Sequence, residues 1–256
     1  MSINSFNLSR LRSAIKPFRL HWVSRVGSTN DYATMLRKRG ELFAPAIVLT
    51  GHQTRGRGRN SNTWWSGEGS LTVTFVLPID EQLLPHQLPL IAGLAVRNAA
   101  AEVSGNDAIK LKWPNDLLYR DRKLAGLLCE RVHKADLIGL GMNINPQSGL
   151  PRSLRERVVW LSQIAGRPID KTELLIAVVK HLHPMLTRRA HQPFAHVLRE
   201  YDRHHALLGR HVSITPGENE PPISGTCQGL DSMGRLLLRQ RNGTPQRVIA
   251  GQVEMK

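Results

Sequence analysis

Polar and apolar residues alternate with a period of two in several short stretches of the chain, and with a helical period in longer ones. Over residues 18–26, Phe18, Leu20, Trp22 and Ser24 fall opposite Arg19, His21, Val23 and Arg25, which predicts a strand. Gly27-Ser28-Thr29-Asn30-Asp31 follows as a turn and helix start, with Ser28 or Thr29 as N-cap and Asp31 in the first turn. Tyr32, Met35 and Leu36 form that helix's apolar stripe, and Gly40 stops it. Residues 44–51 read as a short apolar strand, and 70–77 as a strand with Leu71, Val73, Phe75 and Leu77 opposite Ser70, Thr72 and Thr74. A helix is predicted over 86–104, burying Leu90, Ile91, Leu94, Ala95, Asn98 and Ala99 and leaving at Gly105.

Strands return after that helix. Ile109, Leu111 and Trp113 share one face, Lys110 and Lys112 the other, and Pro114 ends the ladder. Residues 117–119 and 122–130 form a hairpin turning at Asp121 and Arg122, and 137–145 a further strand. Residues 150–166 are a connection holding the short apolar run 158–161. A helix over 171–188 buries Leu174, Leu175, Val178, Leu182 and Met185; Phe194, Val197, Leu198 and Tyr201 mark another that ends near Gly209, with His204 and His205 as exposed or cap residues. From residue 209 the texture changes. Val212 and Ile214 alternate, strands are predicted at 223–230, 236–239 and 248–253, and Asp231-Ser232-Met233-Gly234 and Asn242-Gly243 turn between them, which predicts a small barrel.

Composition narrows the partners. The 256 residues carry 35 Lys and Arg against 20 Asp and Glu, a formal charge of +15, which favours anionic ligands such as nucleotides, nucleic acid or acidic protein surfaces. Cys129 and Cys227 are the only cysteines, so no disulfide framework is implied and a reducing, cytoplasmic setting fits. No apolar run reaches the ~18 residues of a membrane helix. The first thirty residues contain Arg10, Arg12, Lys16, Arg19 and Arg25 with no acid before Asp31, a composition shared by organelle-type presequences and by short basic extensions, and residues 1–17 read as the latter, a basic N-terminal extension.

The candidate chemistry gathers in five stretches. Gln53-Thr54-Arg55-Gly56-Arg57-Gly58-Arg59-Asn60 sets arginines at alternate positions with glycines between, and Trp64, Trp65, Gly67 and Gly69 follow. Glycine permits close backbone approach, and guanidinium forks suit phosphate and carboxylate oxygens, so this loop either closes over an anion or serves as a basic nucleic-acid arm. Lys110 reads as solvated, whereas Lys112 stands at a strand end beside Asn115 and Asp116, where ammonium, amide and carboxylate together suit a polar ligand. Gly126 in mid-strand signals close approach by a ligand or another backbone. Gly139, Gly141 and Asn143 make a wall of small residues, leaving either a ligand space or a tight contact with a helix. Ser28 and Thr29 serve as caps, as ligand contacts at a helix N-terminus, or both. No His/Cys cluster has metal-ligand spacing, so no protein-held metal is expected.

These stretches, in order, resemble the motif set of the biotin–protein ligases: Ser28-Thr29-Asn30; Gln53 with Gly56-Arg57-Gly58-Arg59 and Trp64; Lys112-Trp113-Pro114-Asn115-Asp116; Lys123-Leu124-Ala125-Gly126; and Gly139-Leu140-Gly141-Met142-Asn143. The resemblance covers residues 18–145 by motif, and it implies an α+β fold. A mixed sheet backed by helices, related to class II aminoacyl-tRNA synthetases, would occupy residues 1–208, and an SH3-like barrel residues 209–256. It implies an ATP-dependent ligase that joins biotin to AMP, releases pyrophosphate, and passes biotin to a lysine of a biotin carboxyl carrier domain. ATP and biotin are then substrates, with Mg2+ on the phosphates.

By the same resemblance, Lys112, Arg57 and Arg59 are the catalytic cations. Ser28, Thr29, Asn30, Gln53, Arg57, Gly58, Arg59, Lys112 and Gly126 surround biotin. Gly56, Arg57, Arg59, Trp64, Lys112, Asn115 and Asn143 surround ATP. The sequence departs from the family pattern where Asn60, Ser61 and Asn62 replace a further basic residue and glycine, and where Arg55 replaces a small neutral residue. Those changes bear on how tightly the loop retains an adenylate. Too few residues precede the first strand for a helix-turn-helix domain, so no DNA operator is expected; a homodimer paired through sheet edges is compatible with the family. The competing readings are a lipoate–protein ligase and a non-catalytic nucleic-acid-binding protein.

Overall fold

The computed structural model describes residues 5–60, 62–187, 194–217 and 220–255; Ser61 and the last residue of the helix expected over 171–188 lie outside them. The elements in chain order begin with α1 (Leu8–Ala14), β1 (Arg19–Val26), α2 (Thr29–Lys38), β2 (Ala46–Gln53), β3 (Gly56–Arg57), β4 (Thr63–Trp64), β5 (Ser70–Pro78) and α3 (Leu88–Ser104). Next come β6 (Lys110–Lys112), β7 (Asp116–Tyr119), β8 (Arg122–Val132), β9 (Ala135–Asn143), α4 (Arg152–Arg155), α5 (Leu161–Ala165), α6 (Lys171–Thr187) and α7 (Phe194–Arg203). The chain closes with β10 (His211–Thr215), β11 (Ile223–Leu230), β12 (Leu236–Arg239), β13 (Pro245–Val248) and β14 (Gln252–Met255).

Seven strands lie side by side in the order β1-β2-β5-β9-β8-β7-β6. β1 and β2 run parallel and every other pair antiparallel. A parallel pair needs a crossover, and α2 supplies it. The period-two pattern assigns the faces. Ile47, Leu49, Leu71, Val73, Phe75, Ile138 and Leu140 point to one side, into a core shared with Leu90 and Leu94 of α3 and Leu174 and Val178 of α6. Ala46, Val48, Val76 and Leu137 point to the other side and bury Ala33 and Leu36 of α2. That second cluster covers only part of its face. Beyond it the same face carries Thr72, Gly141, Gly126, Asp116 and Lys112, which the strand register places in one row across β5, β9, β8, β7 and β6. Small and polar residues there leave a concavity.

Residues 1–17, expected as an extension, contribute a docked helix over the part described. Leu11 and Ile15 are fully buried against the main core, and Asn7 donates its N–H to the Thr172 hydroxyl at 3.0 Å. Two such burials stabilise by ~3–6 kcal/mol, which outweighs any repulsion among the exposed Arg10 and Arg12.

Several local expectations shift. In α3 the buried polar residue is Arg97, whose guanidinium caps Ile109 O and Asp107; Asn98, expected inside, is half-exposed and donates to Glu200 at 2.8 Å. In α2 the buried apolar residues are Ala33 and Leu36, with Tyr32 and Met35 packed half-buried beside them. The β7–β8 turn falls on Arg120 and Asp121 at φ 49 and 58°, one residue earlier than expected. α7 stops at Arg203. His205 is buried rather than exposed, because the chain after α7 runs beside β6: Leu111 donates to His204 O and accepts from Ala206 N, both at 2.8 Å.

β10–β14 form a five-stranded antiparallel sheet in the order β13-β12-β11-β10-β14. The single strand predicted at 248–253 is two, because Gly251, at φ +153°, lets the chain leave one edge of this sheet and join the other. A Cβ on Gly251 would stand 2.5 Å from Ile214 Cγ2. The small sheet sits on the first domain, where Trp113 Nε1 donates to Gly234 O at 3.3 Å and Gln87 Nε2 to Met233 O at 3.2 Å.

Candidate active site

The concavity is a cleft of about 880 Å³ bounded by the N-terminus of α2, the end of β2, the β3–β4 hairpin, the β6–β7 turn, β9, the 150–158 segment and β14. Of the site residues expected above, Ser28, Thr29, Asn30, Gln53, Arg57, Gly58, Arg59, Trp64, Lys112, Asn115, Gly126 and Asn143 all line it. Gly56 does not. Its role is local: a Cβ there would lie 2.4 Å from Trp64 O, so glycine lets β3 and β4 pair.

The deep end is polar and buried. Ser28 caps α2 by accepting from Asp31 N at 3.4 Å. Gln53 Oε1 accepts from the N–H and the hydroxyl of Thr29 at 2.7 and 2.9 Å. Thr74, beneath them on β5, lies 2.8 Å from Thr29 Oγ1 and 2.6 Å from Asn30 Oδ1. Asn30 Nδ2 donates to Glu130 Oε2 at 2.7 Å and to Leu128 O at 3.2 Å. Polar groups this deep need partners, and here they find them in one connected network. The small-residue wall serves the same region: a Cβ on Gly139 would strike Asn30, and one on Gly141 would fall 2.3 Å from Trp64 Cε2. The wall is thus a tight contact with α2 at one position and a bed for the Trp64 indole at the other. Trp64 Nε1 is buried without a hydrogen-bond partner among the described residues.

The basic stretch is a hairpin. Gly58 N donates to Asn62 O at 2.7 Å, and the Asn62 side chain donates to Arg59 O at 2.8 Å. Asn60 takes φ 51°, which asparagine tolerates better than most residues. The two asparagines that depart from the family pattern therefore shape the turn. Arg55 turns away towards Gly27, and Arg57 is occupied: it pairs with Asp31 at 2.8 Å and grips Glu130 with both terminal nitrogens at 2.9–3.1 Å. Arg59 faces the cleft. Its Nη1 donates to Asn115 Oδ1 at 3.0 Å and to Gly251 O at 3.4 Å, tying the hairpin to the β6–β7 turn and to the C-terminal sheet.

At the β6 end, Lys112 pairs in register with Asp116, whose carboxylate sits 2.8 Å from Lys123 Nζ. Burial lowers the Lys112 pKa and Asp116 opposes the shift. Burial also lowers that of Arg59, opposed by Asp116. The close approach expected at Gly126 comes from the chain itself: a Cβ there would meet Lys123 Nζ at 3.1 Å and Asp116 Oδ1 at 3.2 Å. Asn143 Nδ2 donates to Lys123 O at 3.2 Å, and Asn115 Nδ2 to Leu127 O at 2.7 Å. The cleft thus sets two cations, Arg59 and Lys112, on the path out from a buried polar end.

Asp31, Thr74 and Glu130, and the 150–158 and 251–255 segments, are absent from the expected site. Glu130 shares a face with Gly126 by strict alternation along β8, which is the signal that would have found it. Among the described residues no group of three or more His, Cys, Asp or Glu is placed to hold a metal ion, and no helix is long and apolar enough to cross a membrane.

Comparison with known proteins bears on this geometry. Residues 22–145 match the family model described as the biotin/lipoate A/B protein ligase family, and residues 207–256 that of the biotin protein ligase C terminal domain. The bifunctional ligase/repressor BirA of Escherichia coli is 29% identical over 242 residues, covering 90% of this chain and 72% of BirA. The biotin–[acetyl-CoA-carboxylase] ligase of Paracoccus denitrificans is 29% identical over 226 residues, covering 85% of this chain and 92% of that protein. The biotin protein ligase of Aquifex aeolicus, solved in complex with biotin and ATP, superposes with a TM-score of 0.82 at 29% identity, over 93% of this chain and 98% of that one.

Proposed function

The chain belongs to the biotin protein ligase family and is a ligase; we propose that it activates biotin with ATP and transfers it to a lysine of a biotin carboxyl carrier domain. Biotin's ureido ring lies against Thr29, Asn30 and Gln53, and its carboxylate reaches outward towards Arg59 and Lys112. ATP occupies the side of the cleft formed by Trp64, Asn115 and Asn143. A carboxylate oxygen attacks the α-phosphorus, the bond to the bridging oxygen breaks, and pyrophosphate leaves. Bringing two anions together is opposed by their repulsion, so cations fixed beforehand lower the barrier. Arg59 and Lys112 supply them. The acceptor amine then attacks the mixed-anhydride carbonyl, AMP departs, and the amine proton is lost. Arg57 contributes by holding the hairpin, since its guanidinium is already committed to Asp31 and Glu130.

Magnesium enters as the companion of the triphosphate. The chain offers it no clustered acids among the described residues, and Asp116 is paired with Lys123.

The buried polar end carries the choice of acid. A lipoyl dithiolane has no N–H or C=O, and would leave Thr29 and Gln53 facing an apolar ring; a ureido ring offers both groups. Sites built to hydrogen-bond a ligand reject analogues that lack the matching group by factors of ~10⁴ or more. The test is acid-dependent exchange of labelled pyrophosphate into ATP with biotin, lipoate and octanoate in parallel. Exchange with biotin alone is expected. Exchange with lipoate alone would move the chain to the lipoate branch, and no exchange from folded protein would sink the reading.

A further inference from the structure

Glu130 does not line the cleft, yet it joins the two parts of the site that must be fixed before a ligand arrives. Its carboxylate accepts the fork of Arg57 from the hairpin and Nδ2 of Asn30 from α2. We propose that Glu130 is a positioning residue that anchors the hairpin through Arg57 and, through Asn30 and Thr74, fixes which groups of the deep end donate and which accept. This rests on the reading of that end as the ureido site.

The polarity follows from counting protons. Asn30 Nδ2 faces two groups that only accept, Glu130 Oε2 and Leu128 O. Its Oδ1 is thereby turned to Thr74, 2.6 Å away. Thr74 has one hydroxyl proton and gives it to Asn30. Towards Thr29, at 2.8 Å, Thr74 can then only accept. Thr29 spends its own proton inward, on Thr74 or on Gln53 Oε1 at 2.9 Å. What Thr29 shows the cleft is a lone pair. Gln53 Oε1 already takes the Thr29 N–H at 2.7 Å, so the amide's free group is its Nε2 donor. The chain of bonds, started by a carboxylate that cannot donate, ends in one acceptor and one donor side by side. That pair fits a cyclic urea, N–H beside C=O. It opposes a carbamate in which the N–H facing Thr29 is replaced by an oxygen.

The experiment measures pyrophosphate exchange with biotin and with the two cyclic carbamates that each replace one ureido N–H by oxygen. Wild type, Glu130→Gln, Arg57→Gln and Thr74→Val are compared, with melting temperatures alongside. Wild type should prefer biotin over the less favoured carbamate by at least about a hundredfold. Glu130→Gln should raise the KM for biotin about tenfold and shrink that preference about tenfold, while kcat at saturating biotin stays within about threefold. Arg57→Gln should raise KM and leave the preference intact. Thr74→Val should shrink the preference with little change in the hairpin's contribution. A Glu130→Gln variant with wild-type KM and preference overturns the proposal. So does one in which kcat falls equally for every acid along with the melting temperature, since that is a structural role only. Failure of wild type to use biotin at all would overturn the underlying ligase reading instead.

Discussion

Arg59 Nη1 donates to Asn115 Oδ1 at 3.0 Å, so a residue of the basic hairpin is latched onto the turn that follows β6. The same guanidinium reaches Gly251 O at 3.4 Å. One side chain therefore spans the hairpin, the sheet edge and the C-terminal sheet, around the volume where an adenylate would lie. Arg59→Ala should cut kcat/KM for biotin-dependent exchange by about 10²–10³, the usual scale for removing one fixed charge from a developing anion. It should also raise the rate at which the adenylate escapes, measured by filter retention of labelled adenylate. Retention at the wild-type rate would show that the latch does not close the site.

Lys112 is the second cation of the proposed site, and its burial should set a pH limit. Its pKa lies below the ordinary lysine value, so the ammonium is lost at lower pH than for a surface lysine. Only the charged form stabilises the anion, and exchange should therefore decline on the alkaline side, beginning below the ordinary lysine range. Lys112→Ala should abolish adenylation and leave the melting temperature nearly unchanged, because the side chain stands on the polar face of β6. Lys112→Arg should shift the alkaline decline upward. A pH profile identical in wild type and Lys112→Arg would remove Lys112 from the anion's surroundings.

Much of this geometry is legible from the chain. Alternation around Pro114 puts Lys112 on the polar face beside Asp116, and the structure pairs those two residues. Ser28 reads as a cap and is one. Periodicity places Gly139, Gly141 and Asn143 on one face, and they share it. What is hidden depends on contacts between distant segments. Nothing local to Arg57 says that Asp31 and Glu130 will claim it, so its charge reads as free for a ligand. His205 looks polar and solvated because the edge pairing of residues 204–206 with Leu111 is a tertiary event. Leu11 and Ile15 lie among arginines, and the composition of residues 1–17 masks two core positions.

Lys171 offers a test of stability rather than chemistry. It is 1% exposed at the start of α6; its Nζ donates to Glu68 O at 2.7 Å and Ser70 O at 3.4 Å and faces the Phe6 ring at 4.5 Å. Burial pushes its pKa down to about 8, against a partial offset from Glu68. A neutral amine still has two protons for the two carbonyls. The unfolded chain, with an ordinary lysine, holds more protons between about pH 8 and 10.5. Stability should then rise with pH across that window, by on the order of 2 kcal/mol from this group. Lys171→Met should lose this rise when both proteins are unfolded in urea at pH 7.5 and 10. Parallel pH dependences would show that Lys171 titrates outside the window.

The last prediction concerns Gly141, whose missing side chain makes room for Trp64. An added Cβ would lie 2.3 Å from Cε2 and 2.7 Å from Nε1 of the indole, which are ring atoms with no slack. Backbone strain is not involved, since Gly141 is extended in β9 and pairs with Gly126 and Thr72. Gly141→Ala should therefore fold, displace the indole into the cleft, and raise the KM for ATP at least about tenfold. The KM for biotin should change less, because Thr29 and Gln53 lie on the Asn30 side of the wall. Trp64→Ala in the Gly141→Ala background should relieve the collision, so the double variant should have a KM for ATP no higher than that of Trp64→Ala alone. A Gly141→Ala enzyme with wild-type KM for ATP would mean that the indole's place on the sheet does not matter for nucleotide binding.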